Sequence, residues 1–267
     1  MGGAILAGLR APGVRIDGPI AVTTRSTASA AEYEAASGVV AFAGEADPDA
    51  NRRAVRGAGV VILAVKPWAI HDLLQEVADD LAPDAIVVSV AAGITTRSME
   101  ALVPAGVAVV RAMPNTPSLV GRGVTGLAGG GSAGSAQVGI VRRVFETVGR
   151  VLVIDEDRMD ALGAVSASGP AYLFFFVEQL TAAAGRLGFS EEDARLMAEG
   201  TVTGAAELLA RSGEDPAELR RRVTSPNGTT ERAIAVLQEG GFAETFDRAL
   251  AAAIARSEEL AAGSSAD

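Results

Sequence analysis

"VVILAVKPW" (Val60–Trp68) is a run of β-branched and aliphatic residues closed by a Lys-Pro pair. Such a short apolar run reads as a strand buried on both faces, the kind that a parallel sheet covered by helices requires. Pro67 has no N–H and stops the strand. It leaves the carbonyls of Ala64 and Val65 free at the carboxyl end, where open α/β sheets bind ligands. On either side the same kind of run recurs: strands are predicted over Ile20–Thr24, Val39–Phe42, Val60–Val65, Ala85–Val90, Val107–Ala112, Val124–Ala128 and Val151–Ile154. Amphipathic stretches between them predict helices over Ala28–Ala36, Pro48–Arg56, Ala69–Leu81, Thr96–Leu102 and Ala133–Thr147. This alternation predicts repeated βαβ units wound into a parallel sheet.

After Asp155 apolar residues recur at three and four positions, and strand-like alternation ends. Helices are predicted over Met159–Ser166, Pro170–Leu187, Ser190–Arg211, Pro216–Val223, Thr229–Glu239 and Phe242–Leu260. Ser190, opening "SEED", is an N-cap signal, and Gly188 a stop for the preceding helix. Two domains are expected: α/β over 1–154 and all-helical over 155–267. The tail "AAGSSAD" (261–267) reads as a frayed end.

Composition narrows the function. Of 267 residues, 49% are apolar but only 4% aromatic, so the core is aliphatic. A net charge of −10 opposes binding to nucleic acid or to an anionic membrane. The most apolar later stretch, Ala171–Val177, is too short to span a bilayer, and the start lacks a signal-peptide pattern. With no cysteine there is neither a disulfide, a thiol nucleophile nor a thiolate metal site. A cytoplasmic chain acting on a small molecule is expected.

Three segments carry chemical signals. The opening "GAILAGL" after Gly2 looks like the end of a G-x-G-x-x-G fingerprint, whose helix N-terminus receives a pyrophosphate. The strand "IAVTTRS" ends on Thr24, Arg25 and Ser26, about where such a fold meets the adenosine ribose. Arg with Ser offers charge and donors to a 2′-phosphate, which favours NADP(H). Lys66 is the only lysine in the chain, and the next strands end in "SVAAG" (Ser89–Gly93) and "RAMPNTP" (Arg111–Pro117). Small residues in the first of these let a flat nicotinamide approach the backbone. "GLAGGGSAGSA" (Gly126–Ala136) lacks a lysine and reads as a flexible connection, and His71 as an ordinary helix-surface histidine.

"AVKP" (64–67), "AAG" (91–93), "RAMPNTP", "SASGPAY" (Ser166–Tyr172) and "VTSPNGTTERAI" (Val223–Ile234) occur in this order. Together they resemble the pyrroline-5-carboxylate reductase family over essentially the whole chain. The resemblance implies a doubly wound Rossmann-like sheet followed by an all-helical dimerisation domain. It also implies reduction of 1-pyrroline-5-carboxylate to L-proline with NADPH, NADH being the second donor, in a cytoplasmic homodimer or larger homo-oligomer whose helices complete each other's sites. No metal is implied.

By the same resemblance Gly2, Arg25, Ser26, Asn51, Ala64, Val65, Lys66, Pro67, Ala91, Ala92 and Gly93 contact the cofactor. Met1 and Gly2 align with the last part of the fingerprint, so a first strand and two glycines, about ten residues, are expected before Met1. Without that strand two neighbouring strand edges are left unpaired. Glu156, Ser225, Asn227, Gly228, Thr229 and Thr230 are implied as substrate contacts. The turn before "TTERAIAVL" aims N–H groups and a helix dipole at a carboxylate, and Thr230 supplies the catalytic hydroxyl at the ring nitrogen. Asn227 replaces the family's usual glycine, and asparagine tolerates left-handed angles. The residues alone leave open a β-hydroxyacid dehydrogenase or imine reductase, and a non-catalytic homologue that binds partners.

Overall fold

The computed structural model describes residues 1–34 and 36–263. Position 35 of the predicted second helix and positions 264–267 of the predicted frayed end lie outside them. The chain divides into two compact units: residues 1–167 with 253–263, and Ser168–Ala252.

The first unit alternates α1 (Gly2–Leu9), β1 (Ile20–Thr24), α2 (Thr27–Glu34), β2 (Val39–Ala43), α3 (Ala50–Val55) and β3 (Val60–Leu63). It continues with α4 (Ile70–Val77), β4 (Ile86–Ser89), α5 (Thr96–Glu100), β5 (Ala108–Met113), β6 (Gly123–Gly129), α6 (Ser135–Glu146), β7 (Gly149–Val153) and α7 (Met159–Leu162). Every predicted strand is present, β1 with the predicted limits. The predicted Ala69–Leu81 helix is α4 flanked by 3-10 turns at Pro67–Ala69 and Ala78–Asp80.

All side chains of β4 and β5 are buried, and they alternate between two cores. Val87 and Val109 pack with Val61, Leu63, Leu74 and Met99 on one face. Ile86, Val88, Ala108 and Val110 pack with Ile5, Val141 and Phe145 on the other. Each fully buried aliphatic side chain contributes about 1.5–3 kcal/mol, so these strands hold the unit together.

Two features differ from a single doubly wound parallel sheet. β6 runs antiparallel to β5, with Arg111 opposite Ala128. The nine-residue link at 114–122, which contains the 3-10 turn Thr116–Val120, is too short for a helical crossover. The sheet is also divided, with β1 pairing only with β2 while β3 begins a five-stranded sheet ordered β3-β4-β5-β6-β7. β1 and β3 each have a strand neighbour on one side only among the described residues. Helix α3 packs on β1 and β2 and joins α4, and its Arg52 and the Arg56 that follows it both pair with Asp80.

The compact units divide at 167/168, because residues 156–167 and 253–263 bond within the first unit. The predicted Met159–Ser166 helix is a 3-10 turn (Glu156–Arg158), α7 and a π-turn (Gly163–Ala167). The second unit holds α8 (Gly169–Arg186), α9 (Glu191–Ser212), α10 (Pro216–Arg222), α11 (Thr229–Glu239) and the first part of α12 (Phe242–Gly263). Ser190 caps α9 by accepting from the Asp193 N–H, and Gly188, at φ 97°, ends α8. Helix α12 runs through 261–263, which were expected to fray.

Among the described residues of Ser168–Ala252 only Ala194 and Ala198 are buried, while Phe174 is 68% and Leu196 70% exposed. The helical run Glu156–Arg186 is long and apolar enough, by length and composition, to cross a membrane. This departs from the expectation drawn from Ala171–Val177 alone, since successive helical turns add their apolar residues.

Gly149 opens β7 at φ 155° opposite Gly123, and an added Cβ would overlap the Gly123 carbonyl. Gly149→Ala is expected to destabilise the chain by about 2 kcal/mol or more, whereas Gly59→Ala, with open space around it, should cost little. Denaturant midpoints of the two variants decide the matter.

Candidate active site

In the first unit, most of the residues expected to meet the cofactor lie at the carboxyl ends of parallel strands. Gly2 begins α1 against the end of β3, and a Cβ there would stand 3.2 Å from the Ala64 Cβ. Among the described residues no side chain caps α1; the Ala4 N–H is taken by the Met1 carbonyl at 2.9 Å, and those of Gly2 and Gly3 stay open to an anion. Ala64, Val65 and Lys66 are exposed, and Pro67 starts the 3-10 turn after them. After β4, Ala92 is exposed between buried Ala91 and Gly93, and Gly93 turns the chain at φ 76°.

Arg25 is exposed beyond β1, and Ser26 Oγ accepts from the Ser29 N–H at 3.3 Å, capping α2. Asn51, on α3, donates its amide to both Glu76 oxygens at 3.2 Å. An acidic neighbour that no local pattern discloses lies here: Glu45 accepts from the Thr27 N–H at 2.7 Å and from its hydroxyl at 2.6 Å. Those bonds, with the nearby charge of Arg25, hold the Glu45 carboxyl below its usual range.

Glu156 also has partners that its sequence position does not disclose. It accepts from the Thr96 N–H at 2.8 Å and from the Thr96 hydroxyl at 2.5 Å, and lies 3.6 Å from Arg111. Both oxygens of this expected substrate contact are therefore engaged within the protein. A charged residue amid the apolar run of β5 was the available signal for a buried ion pair. Asn115 donates to the Ser166 carbonyl at 3.0 Å and accepts from the Val124 N–H at 2.8 Å, tying "RAMPNTP" to the π-turn.

In the second unit, the turn before α11 has the conformation that its residues permit. Asn227 lies at φ 59°, the single non-glycine residue at positive φ among those described. Gly228 is needed for contact, since a Cβ there would stand 2.5 Å from Ser225 Oγ and 2.9 Å from its carbonyl oxygen. Not every N–H of the turn is free, however: Asn227 donates to Glu231 Oε2 at 2.8 Å, and Gly228 to the Ser225 carbonyl at 3.0 Å. The first N–H groups of α11, at Thr229 and Thr230, remain open, and neither threonine hydroxyl has a partner among the described residues. Upstream on α10, bonds from Arg221 and then Arg222 hold the Glu218 carboxyl down to about 2.

Comparison with known proteins accounts for both units. Residues 156–260 match the family model described as pyrroline-5-carboxylate reductase dimerisation, and residues 1–93 match one described as NADP oxidoreductase, coenzyme F420-dependent. A pyrroline-5-carboxylate reductase of Pseudomonas aeruginosa is 42% identical over 265 residues, covering 98% of this chain and 93% of that one. The chain belongs to the pyrroline-5-carboxylate reductase family.

Among solved members of the family, the reductase of Coxiella burnetii superimposes with a TM-score of 0.87 at 38% identity. It covers 97% of this chain and 94% of its own. The Plasmodium falciparum structure, which has NADP bound, shares the fold at TM-score 0.80 and 24% identity, over 98% of this chain and 94% of its own. The dimerisation model begins at Glu156, whereas the compact units divide at 167/168.

Proposed function

We propose that the residues of this reductase divide the reaction between a cofactor set and a substrate turn. As a member of its family the chain is an NAD(P)H-dependent enzyme that reduces 1-pyrroline-5-carboxylate to L-proline. Hydride moves from the nicotinamide to the ring carbon of the C=N bond, and the nitrogen takes a proton. The reaction needs orientation, a carboxylate clamp and a hydrogen bond at nitrogen.

The open N-terminus of α1 at Gly2, beside Ala64, Val65, Lys66 and Pro67, suits the pyrophosphate and the adjoining ribose. Arg25 and Ser26 suit a 2′-phosphate, which makes NADPH the preferred donor, with NADH a weaker one. Asn51 keeps its side-chain oxygen for the adenosine, its amide being given to Glu76. Ala91, Ala92 and Gly93 suit the nicotinamide face.

The observation that carries the substrate assignment is the open start of α11. Unpartnered N–H groups at Thr229 and Thr230, with Ser225 Oγ close to Gly228, suit a carboxylate. The Thr230 hydroxyl then serves as the hydrogen-bonding group at the ring nitrogen. As a weak acid, it orients the imine and passes on a proton from water. Glu231 takes the Asn227 N–H and so narrows the clamp to the helix start and Asn227 itself to a backbone role.

The nearly coreless helical unit supports a homodimer or a larger homo-oligomer. Apolar side chains such as Phe174 and Leu196, in a region matched by a dimerisation model, meet a second copy there. That occupant also accounts for the apolar run Glu156–Arg186 without a membrane, in keeping with a cytoplasmic enzyme and a small-molecule substrate.

Purified protein is expected to oxidise NADPH only when 1-pyrroline-5-carboxylate is added, and Thr230→Ala to lower kcat about tenfold to hundredfold. Full activity in that variant would remove Thr230 from the reaction. Arg25→Ala should weaken NADPH binding about tenfold and leave NADH binding unchanged, as read by fluorescence titration. Light scattering should give a mass of at least two chains, and Phe174→Arg should reduce it or the soluble yield. A monomeric wild type would remove the oligomer from the proposal.

A further inference from the structure

Arg111 is 97% buried by its neighbours, being 3% exposed, and stands where β5 is otherwise apolar. Its guanidinium faces Glu156 at 3.6 Å and Asp160 at 3.2 Å, and Asp160 also accepts from the Ser257 hydroxyl of α12 at 2.8 Å. Its Nε is buried without a partner among the described residues, so the side chain is held there by its two carboxylates and at the cost of an unsatisfied donor. Glu156 turns this ion pair toward Thr96, sixty residues earlier in the chain, and takes both its N–H and its hydroxyl. Thr96 is the first residue of α5 and ends the segment 91–96 that leaves β4 through the left-handed Gly93.

We propose that Glu156 is a positioning residue for the cofactor: held by Arg111, it fixes segment 91–96 through Thr96 and does not itself meet the imine. The proposal rests on the reading that Ala91–Gly93 line the nicotinamide. A neutral amide at position 156 keeps the size but replaces one acceptor oxygen with a donor and removes the charge that Arg111 balances. The Thr96 N–H keeps its acceptor, but the Thr96 hydroxyl must turn from donor to acceptor and Arg111 loses the charge that holds position 156 in place. Thr96→Val removes the hydroxyl from the other side and leaves the backbone bond in place.

The test compares wild type, Glu156→Gln, Thr96→Val and the double variant by NADPH fluorescence titration without substrate, and by steady-state kinetics. Each single variant is expected to raise the Kd for NADPH about tenfold. The double variant should be no worse than the poorer single one, because both break one link. The KM for 1-pyrroline-5-carboxylate should stay at the wild-type value in all three.

A Glu156→Gln variant that binds NADPH normally but shows a raised KM for the imine would overturn the proposal and restore Glu156 as a substrate contact. Additive losses in the double variant would overturn it as well. Should wild type bind NADPH yet leave the imine unreduced, the substrate assignment fails, while the titrations still read the link from Glu156 to Thr96. Thr96→Val, the milder change, serves where Glu156→Gln does not fold.

Discussion

Burial of β4 and β5 on both faces is the constraint on which the first unit depends. Two strands with no exposed side chain require a layer of helices on each side, and the alternation of Val87 and Val109 with Ile86, Val88, Ala108 and Val110 assigns those layers. Their carboxyl ends therefore emerge from a rigid floor, and the loops that follow carry the chemistry. Arg111 is the one charged side chain inside that floor, and its carboxylate partners draw residues 156–160 and 257 onto the α/β unit. The later position of the structural boundary follows from this polar attachment.

Most of the fold was legible in local patterning. The limits of β1 and α11 follow the predicted ones because a turn or a capping glycine lies at each end. Strand direction was not legible from alternation, since a period of two is the same in either direction. The length of link 114–122 contained that information, because a parallel return needs more chain. Division into two sheets was legible only through the family resemblance, whereas the pairing itself is a long-range property.

The candidate site divides in the same way. Glycines and turn formers announced Gly93, Asn227 and Gly228, since backbone angle is a local demand that few residue types meet. The acidic partners were harder to see: Glu45 reaches Thr27, Glu156 reaches Thr96 and Glu231 reaches Asn227, and nothing in the spacing of the first two pairs marks a contact. In each case a carboxylate meets the first turn of a helix or the chain within two residues before it, where open N–H groups and the dipole favour negative charge. The third pair lies within one helical turn and resembles a capping box, so it was open to recognition.

The interior of Ser168–Ala252 consists of two alanines. A segment with so little apolar area hidden within itself cannot offset the entropy of ordering its own backbone. In a homodimer the missing burial comes from the second chain, so folding of this region and association become one event. Protomer concentration then enters the stability of the enzyme as directly as temperature does.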